Sequence, residues 1–90
     1  MEALITYHEV QAGAHYMRVM VDNQETRLTL YPDGRVNVCV LNAMAKVYRM
    51  AAGRYFNSVE EAMAAYKTER TRTAIACAEA VAHDMDRITN

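Results

Sequence analysis

The chain has one proline, three glycines, one phenylalanine, no tryptophan and two cysteines in its 90 residues. So few chain breakers leave no room for a flexible linker, a repeat or a low-complexity stretch, and a single domain over residues 1–90 is expected. Glycines scattered at 13, 34 and 53 make no phosphate-cradling loop. Cys39 and Cys77 form neither a CxxC pair nor a zinc-ligand spacing, and each lies in an apolar pattern. They read as core-filling thiols of a reducing compartment. Charge of neither sign dominates: ten Lys and Arg stand against eleven Asp and Glu, for a net charge of −1. That balance excludes a strongly basic nucleic-acid arm. Apolar runs such as Val38-Cys39-Val40-Leu41 fall far below the roughly 20 residues of a membrane helix. The start, Met1-Glu2-Ala3-Leu4-Ile5-Thr6, lacks the basic opening and apolar block of a secretory signal, so a cytoplasmic location is expected.

What is present is a β pattern followed by an α pattern. The strongest local signal is Leu28-Thr29-Leu30-Tyr31-Pro32-Asp33-Gly34-Arg35-Val36-Asn37-Val38. Pro32 suits the first central position of a type I turn, and Gly34 supplies the following left-handed residue. The resulting three-residue hairpin loop sets Tyr31 opposite Arg35 and pairs Leu30 with Val36, Leu28 with Val38 and Thr26 with Val40. All six of those paired side chains then share one face, while Arg27, Thr29, Tyr31, Arg35, Asn37 and Cys39 share the other. Upstream, residues 3–10 and 14–21 read as two further strands separated at Ala12-Gly13, with Asp22-Asn23-Gln24 before the hairpin. Met17, Val19 and Val21 line one face of the second strand; Tyr16, Arg18 and Met20 line the other.

Residues 43–50 are ambiguous. Their composition favours helix, while Val47 and Tyr48 ahead of Gly53 favour a fifth strand, and the reading leans to strand. The sheet segment is thus expected to occupy residues 1–56. At Phe56-Asn57-Ser58-Val59-Glu60-Glu61 the period changes, because Ser58 and Glu61 form a capping box. A helical segment is expected over 58–89, with an apolar stripe of Val59, Met63, Tyr66, Ala74, Cys77, Val81, Met85 and Ile88. Arg70 interrupts the stripe. An unbroken helix from 58 to 88 would be roughly 46 Å long, against about 30 Å across for a compact domain of this length. The chain therefore either breaks near 68–72 or overhangs and needs a second subunit; a break is preferred. The fold class that follows is α+β: a four- or five-stranded antiparallel meander with one face covered by one or two C-terminal helices.

Chemistry is largely absent from the pattern. Ser58 is the only serine and is used as a cap. Pairing of the first two strands about Ala12 sets His8 opposite Tyr16 or Met17 and His15 opposite Glu9 or Val10. The two histidines face each other in neither register, and no metal site is expected. Glu79, Asp84 and Asp86 read as a solvated helix face, and no acid is paired with a base at a fixed spacing. No catalytic activity and no cofactor are expected. Of the seven methionines, Met17, Met63 and Met85 fit core stripes, whereas Met20, Met44 and Met50 divide between partial core and an adaptable contact surface.

The informative bias is six tyrosines against one phenylalanine. Tyrosine is chosen over phenylalanine where one end of the ring stays wet or hydrogen-bonded. Tyr16, Arg18, Arg27, Tyr31 and Arg35 fall on the sheet face away from the helices, and Tyr and Arg are the residue types of interface hot spots. These five are the candidate partner-binding residues. Two other readings of the same face stand beside it: a merely solvated surface of good strand formers, and a stacking platform for single-stranded RNA or DNA. A homodimeric regulator with a helical seam is a further alternative.

Three segments also carry a resemblance: His15-Tyr16-Met17-Arg18-Val19, the hairpin about Pro32-Asp33-Gly34, and Phe56-Asn57-Ser58-Val59-Glu60. Their order over residues 14–66 is similar to that of the short type I-F anti-CRISPR inhibitors of phages, in which an antiparallel meander precedes two helices. Residues 67–90 take no part in it. The resemblance implies a non-catalytic inhibitor that binds a host protein complex by occupying its surface. It carries over no site residue.

Overall fold

The computed structural model describes residues 1–41 and 53–89. Strands β1 (Ala3–Gln11), β2 (Ala14–Val21), β3 (Gln24–Leu30), β4 (Val36–Leu41) and β5 (Arg54–Phe56) form one antiparallel meander in the order β1-β2-β3-β4-β5. Helices α1 (Val59–Ala65) and α2 (Glu69–Thr89) follow, and α2 packs across β2 and β3. The expected α+β architecture is the one observed. The fifth strand is Arg54–Phe56, immediately after Gly53; the leaning toward strand at 43–50 falls outside the described residues.

The hairpin forms in the expected register, with Leu30 opposite Val36, Leu28 opposite Val38 and Thr26 opposite Val40. Tyr31 N–H donates to the Arg35 carbonyl at 2.9 Å, Gly34 N–H donates to the Tyr31 carbonyl at 3.1 Å, and Gly34 takes φ +96°. The other two hairpins turn on Ala12-Gly13 and Asp22-Asn23, all four residues at positive φ. This is the two-residue turn whose twist suits paired strands. Met17, Val19, Val21, Leu28, Val36 and Val38 are buried together beneath the helices.

Strand β1 alternates poorly because it holds a bulge. Ile5 pairs with Val19 but Tyr7 pairs with Arg18, so Thr6 is the extra residue, and its hydroxyl donates to the Arg18 carbonyl at 3.3 Å. The extra residue reverses the parity of the strand. Ala3 and Ile5 join the core before it, and Tyr7, Glu9 and Gln11 move to the opposite face after it.

Ser58 caps α1 by accepting from Glu61 N–H at 3.1 Å, while the Glu61 carboxylate accepts from Asn57 N–H at 3.1 Å. Tyr66 leaves helical geometry at φ −102°, ψ 124°. The helical break therefore spans 66–68, at the near edge of the expected interval. Arg72 closes the end of α1 there, its guanidinium donating to the carbonyls of Met63 and Tyr66. The uninterrupted overhanging helix does not form.

The buried line of α2 differs from the expected stripe. Thr71, Ala74, Ile75, Ala78 and Ala82 face the sheet, whereas Cys77 and Val81 are half-buried, and Met85 and Ile88 are exposed. Small alanines let the helix backbone approach the sheet, so the larger side chains sit along its flanks rather than beneath it. Thr71 is hydrogen-bonded to Gln24 at 3.1 Å, and Arg70 donates to the Asp22 carbonyl at 3.4 Å, fixing the start of α2 over the β2–β3 turn.

Ala12 holds φ +53°, where a β-carbon is strained by about 1–2 kcal/mol. Ala12→Asn is expected to stabilise the fold by about 1 kcal/mol, read as a rise of about 4–8 °C in the thermal midpoint.

Candidate protein-binding face

The outer face of the sheet is built in cross-strand rows. One runs Tyr7, Arg18, Arg27, Cys39; the next runs Glu9, Tyr16, Thr29, Asn37, Tyr55. Both helices lie against the inner face, and among the described residues no element packs over these rows. Tyr16, Arg18 and Arg35 are exposed, and Arg27 and Tyr31 are half-buried, so all five sequence-derived candidates share this one side. Tyr31 and Arg35 flank the hairpin loop at one end, and Tyr16, Arg18 and Arg27 occupy the centre.

Sequence reasoning missed Tyr7 and Tyr55. The bulge conceals Tyr7, because simple alternation assigns it to the wrong phase. Tyr55 lies on a three-residue strand too short to show a period. Its ring stacks on Tyr31 with centroids 6.4 Å apart at 28°. Arg35 lies 5.2 Å from the Tyr31 ring centre, and Arg18 lies 5.1 Å from that of Tyr7. Tyrosine and arginine thus hold one another in place, so less side-chain freedom is lost when a partner docks.

A shallow groove of about 350 Å³ crosses the centre, walled by Tyr7, Tyr16, Arg18, Arg27 and Thr29. Its floor carries an electrostatic conflict: Arg18 and Arg27 are direct cross-strand partners, a like-charged arrangement that costs stability. Arg27 is eased by Glu25, whose carboxylate lies 3.5 Å away, too far for a strong hydrogen bond. Arg18 makes no ion pair among the described residues. At the hairpin end Arg35 is neutralised by Asp33 at 2.7 Å. The Arg35 backbone N–H, and then its guanidinium, hold the Asp33 carboxyl below its usual range. Tyr7 donates to the Glu9 carboxylate, and that bond, ahead of burial, raises its phenol above the ordinary value. The Tyr31 phenol is raised mainly by burial, with Tyr55 adding to it.

On the inner face a second arrangement departs from expectation. His8 pairs with Met17 and His15 with Val10, a register that had been anticipated. The histidines nevertheless meet along the diagonal, His8 Nε2 to His15 Nδ1 at 2.9 Å. The expectation considered only directly opposite residues, whereas diagonal neighbours on one face are within reach of rings. His15 also meets Asp86 of α2 at 2.8 Å, so an acid and a base 71 positions apart are joined, and Asp86 is not simply part of a solvated face. No short-range spacing could have revealed that pair. Among the described residues no group of three or more His, Cys, Asp or Glu is placed to hold a metal ion. Neither Cys39 nor Cys77 is in a disulfide, and among the described residues no helix is long and apolar enough to cross a membrane.

No protein-family model matches the chain, and neither the curated proteins nor the solved structures compared with it give a match.

Two outcomes follow from the geometry of the outer face. Arg18→Gln removes a stacking contact of about 0.5–1 kcal/mol together with a repulsion of similar size. Denaturant unfolding should shift by less than about 0.5 kcal/mol. Tyr55→Ala exposes Tyr31, and alkaline spectrophotometric titration should show the Tyr31 phenol ionising at lower pH than in the wild type.

Proposed function

We propose that the protein is a non-catalytic binding module whose outer sheet face, centred on Tyr16, Arg18 and Arg27 and flanked by Tyr31 and Arg35, docks a protein partner. The observation that carries this reading is the facing pair Arg18 and Arg27 in a groove walled by tyrosines. A carboxylate side chain from a partner, inserted between the two guanidiniums, would relieve their repulsion with charge-assisted hydrogen bonds. The surrounding rings supply rigid apolar area.

The same face is less suited to a nucleic acid. Phosphate recognition sums over many uncompensated cations, whereas here Glu25 serves Arg27 and Asp33 serves Arg35. One buried carboxylate is matched; a polyanion is not. The homodimeric alternative loses its motive, since it depended on the continuous helix that the break at 66–68 removes. In its sharpest form, which rests on the resemblance to type I-F anti-CRISPR proteins, the module is a phage-encoded inhibitor. It would act in the bacterial cytoplasm by covering the working surface of a host complex.

The test is affinity capture with the wild-type protein, followed by binding measurements with the captured partner and NMR mapping of the tyrosine rings. Tyr16→Ala combined with Arg18→Ala is expected to weaken binding by at least about 100-fold while the fold stays intact. Ring signals of Tyr7, Tyr16 and Tyr31 should shift on binding. Unchanged affinity, or shifts confined to the helices, overturns the reading. Tight binding of an oligonucleotide that weakens steeply with salt would transfer the face to nucleic acid.

A further inference from the structure

The chain His8–His15–Asp86 is not used by the outer face and lies on the opposite side of the sheet. His15 is only 2% exposed. Its Nε2 contacts Asp86 Oδ1 at 2.8 Å and its Nδ1 contacts His8 Nε2 at 2.9 Å. An ionised carboxylate only accepts, so Nε2 carries the proton. In the neutral ring Nδ1 is then bare and accepts from His8 Nε2–H. Adding one proton leaves the chain intact: His15 becomes a cation beside Asp86 and donates from Nδ1, while His8 moves its own proton to Nδ1. A second proton cannot be accommodated, because both facing nitrogens would carry hydrogen at 2.9 Å.

We infer that this triad is a pH-sensitive clasp that accepts one proton in place and releases the His8 ring of edge strand β1 from His15 when a second arrives. Among the described residues, the polar contacts of the two rings are with each other and with Asp86. On β1, Glu9 belongs to the outer face and is bonded to Tyr7. On β3, the residue opposite His15 is Leu30. On α2, Asp86 is the group that reaches His15, while His83, Asp84 and Arg87 of the same turns are exposed. Release is directional. A doubly protonated pair repels across the His8–His15 contact, whereas the His15–Asp86 contact becomes a cation–carboxylate pair and strengthens. The His8 ring leaves and the helix stays fastened.

Burial, and then the charge of His15, lower the His8 value below the ordinary 6.5. A histidine that resists protonation in the fold binds more protons when unfolded. Stability contributed by the neutral ring is therefore complete above the ordinary value and is lost as pH falls through it toward the lower folded value.

The experiment is imidazole nitrogen NMR on the full chain over a pH titration, with ring-to-ring proximity and denaturant unfolding measured at each step. Expected are a neutral His15 protonated at Nε2, two separated protonation steps for the pair, and loss of His8–His15 ring proximity at the second step alone. The unfolded-to-folded ratio should rise as pH falls below 6.5. In His8→Gln, whose amide can accept or donate, one step remains and that part of the stability curve flattens. Asp86→Asn, whose amide can donate as well as accept, should release the proton of neutral His15 from Nε2, read from the ring nitrogen shifts. Independent titration of both rings at the ordinary value, or the same acid loss of stability in His8→Gln, overturns the clasp.

Discussion

The structure depends on one packing constraint: a 21-residue helix must lie close along β2, the strand that carries the most core residues. Two polar contacts set its ends. Thr71 meets Gln24 beside the β2–β3 turn, and Asp86 meets His15 at the other end of β2. The distances agree. Fifteen residues of helix rise about 22 Å, and the strand from His15 to Val21 covers about 20 Å. Between the anchors, Ala74, Ala78 and Ala82 keep the side chains short, so Ile75 is the one large group of α2 that is fully buried. Close approach replaces bulk as the source of burial, and it confines the apolar side of the sheet beneath the helices.

That confinement gives the outer face its character. Strand periodicity sends every second residue there, and the hydrogen-bonded ladder fixes which residues become neighbours. Tyr16 next to Thr29 and Arg18 next to Arg27 follow from the same register that buries Met17, Val19 and Leu28. The repulsion between Arg18 and Arg27 is tolerated because burial on the other side determines the pairing. Slipping the register by one residue would separate the arginines and expose the core.

The legible parts of the fold were those with two independent local signals. Pro32-Asp33-Gly34 and the alternation around it specify one register, and Ser58 with Glu61 marks the start of α1. The stripe of α2 was misread because hydrophobicity favours Met85 and Ile88, whereas the geometry of close packing favours alanine. Tyr7 was hidden by the extra residue Thr6, and the His15–Asp86 pair by 71 intervening positions. Alternation locates a face and a cap locates a helix end. Neither locates a contact that exists only after the helix has folded back.

The bulge at Thr6 has a wider consequence. Because it changes phase, β1 offers no single alternation along the open margin of the sheet: its odd-numbered residues face the core before Thr6 and the tyrosine side after it. Another chain laid beside it would match one half and mismatch the other, so end-to-end growth into fibres is discouraged without proline or a row of lysines. A one-residue irregularity thus guards the molecule against self-polymerisation while it delivers a fourth tyrosine to the outer surface.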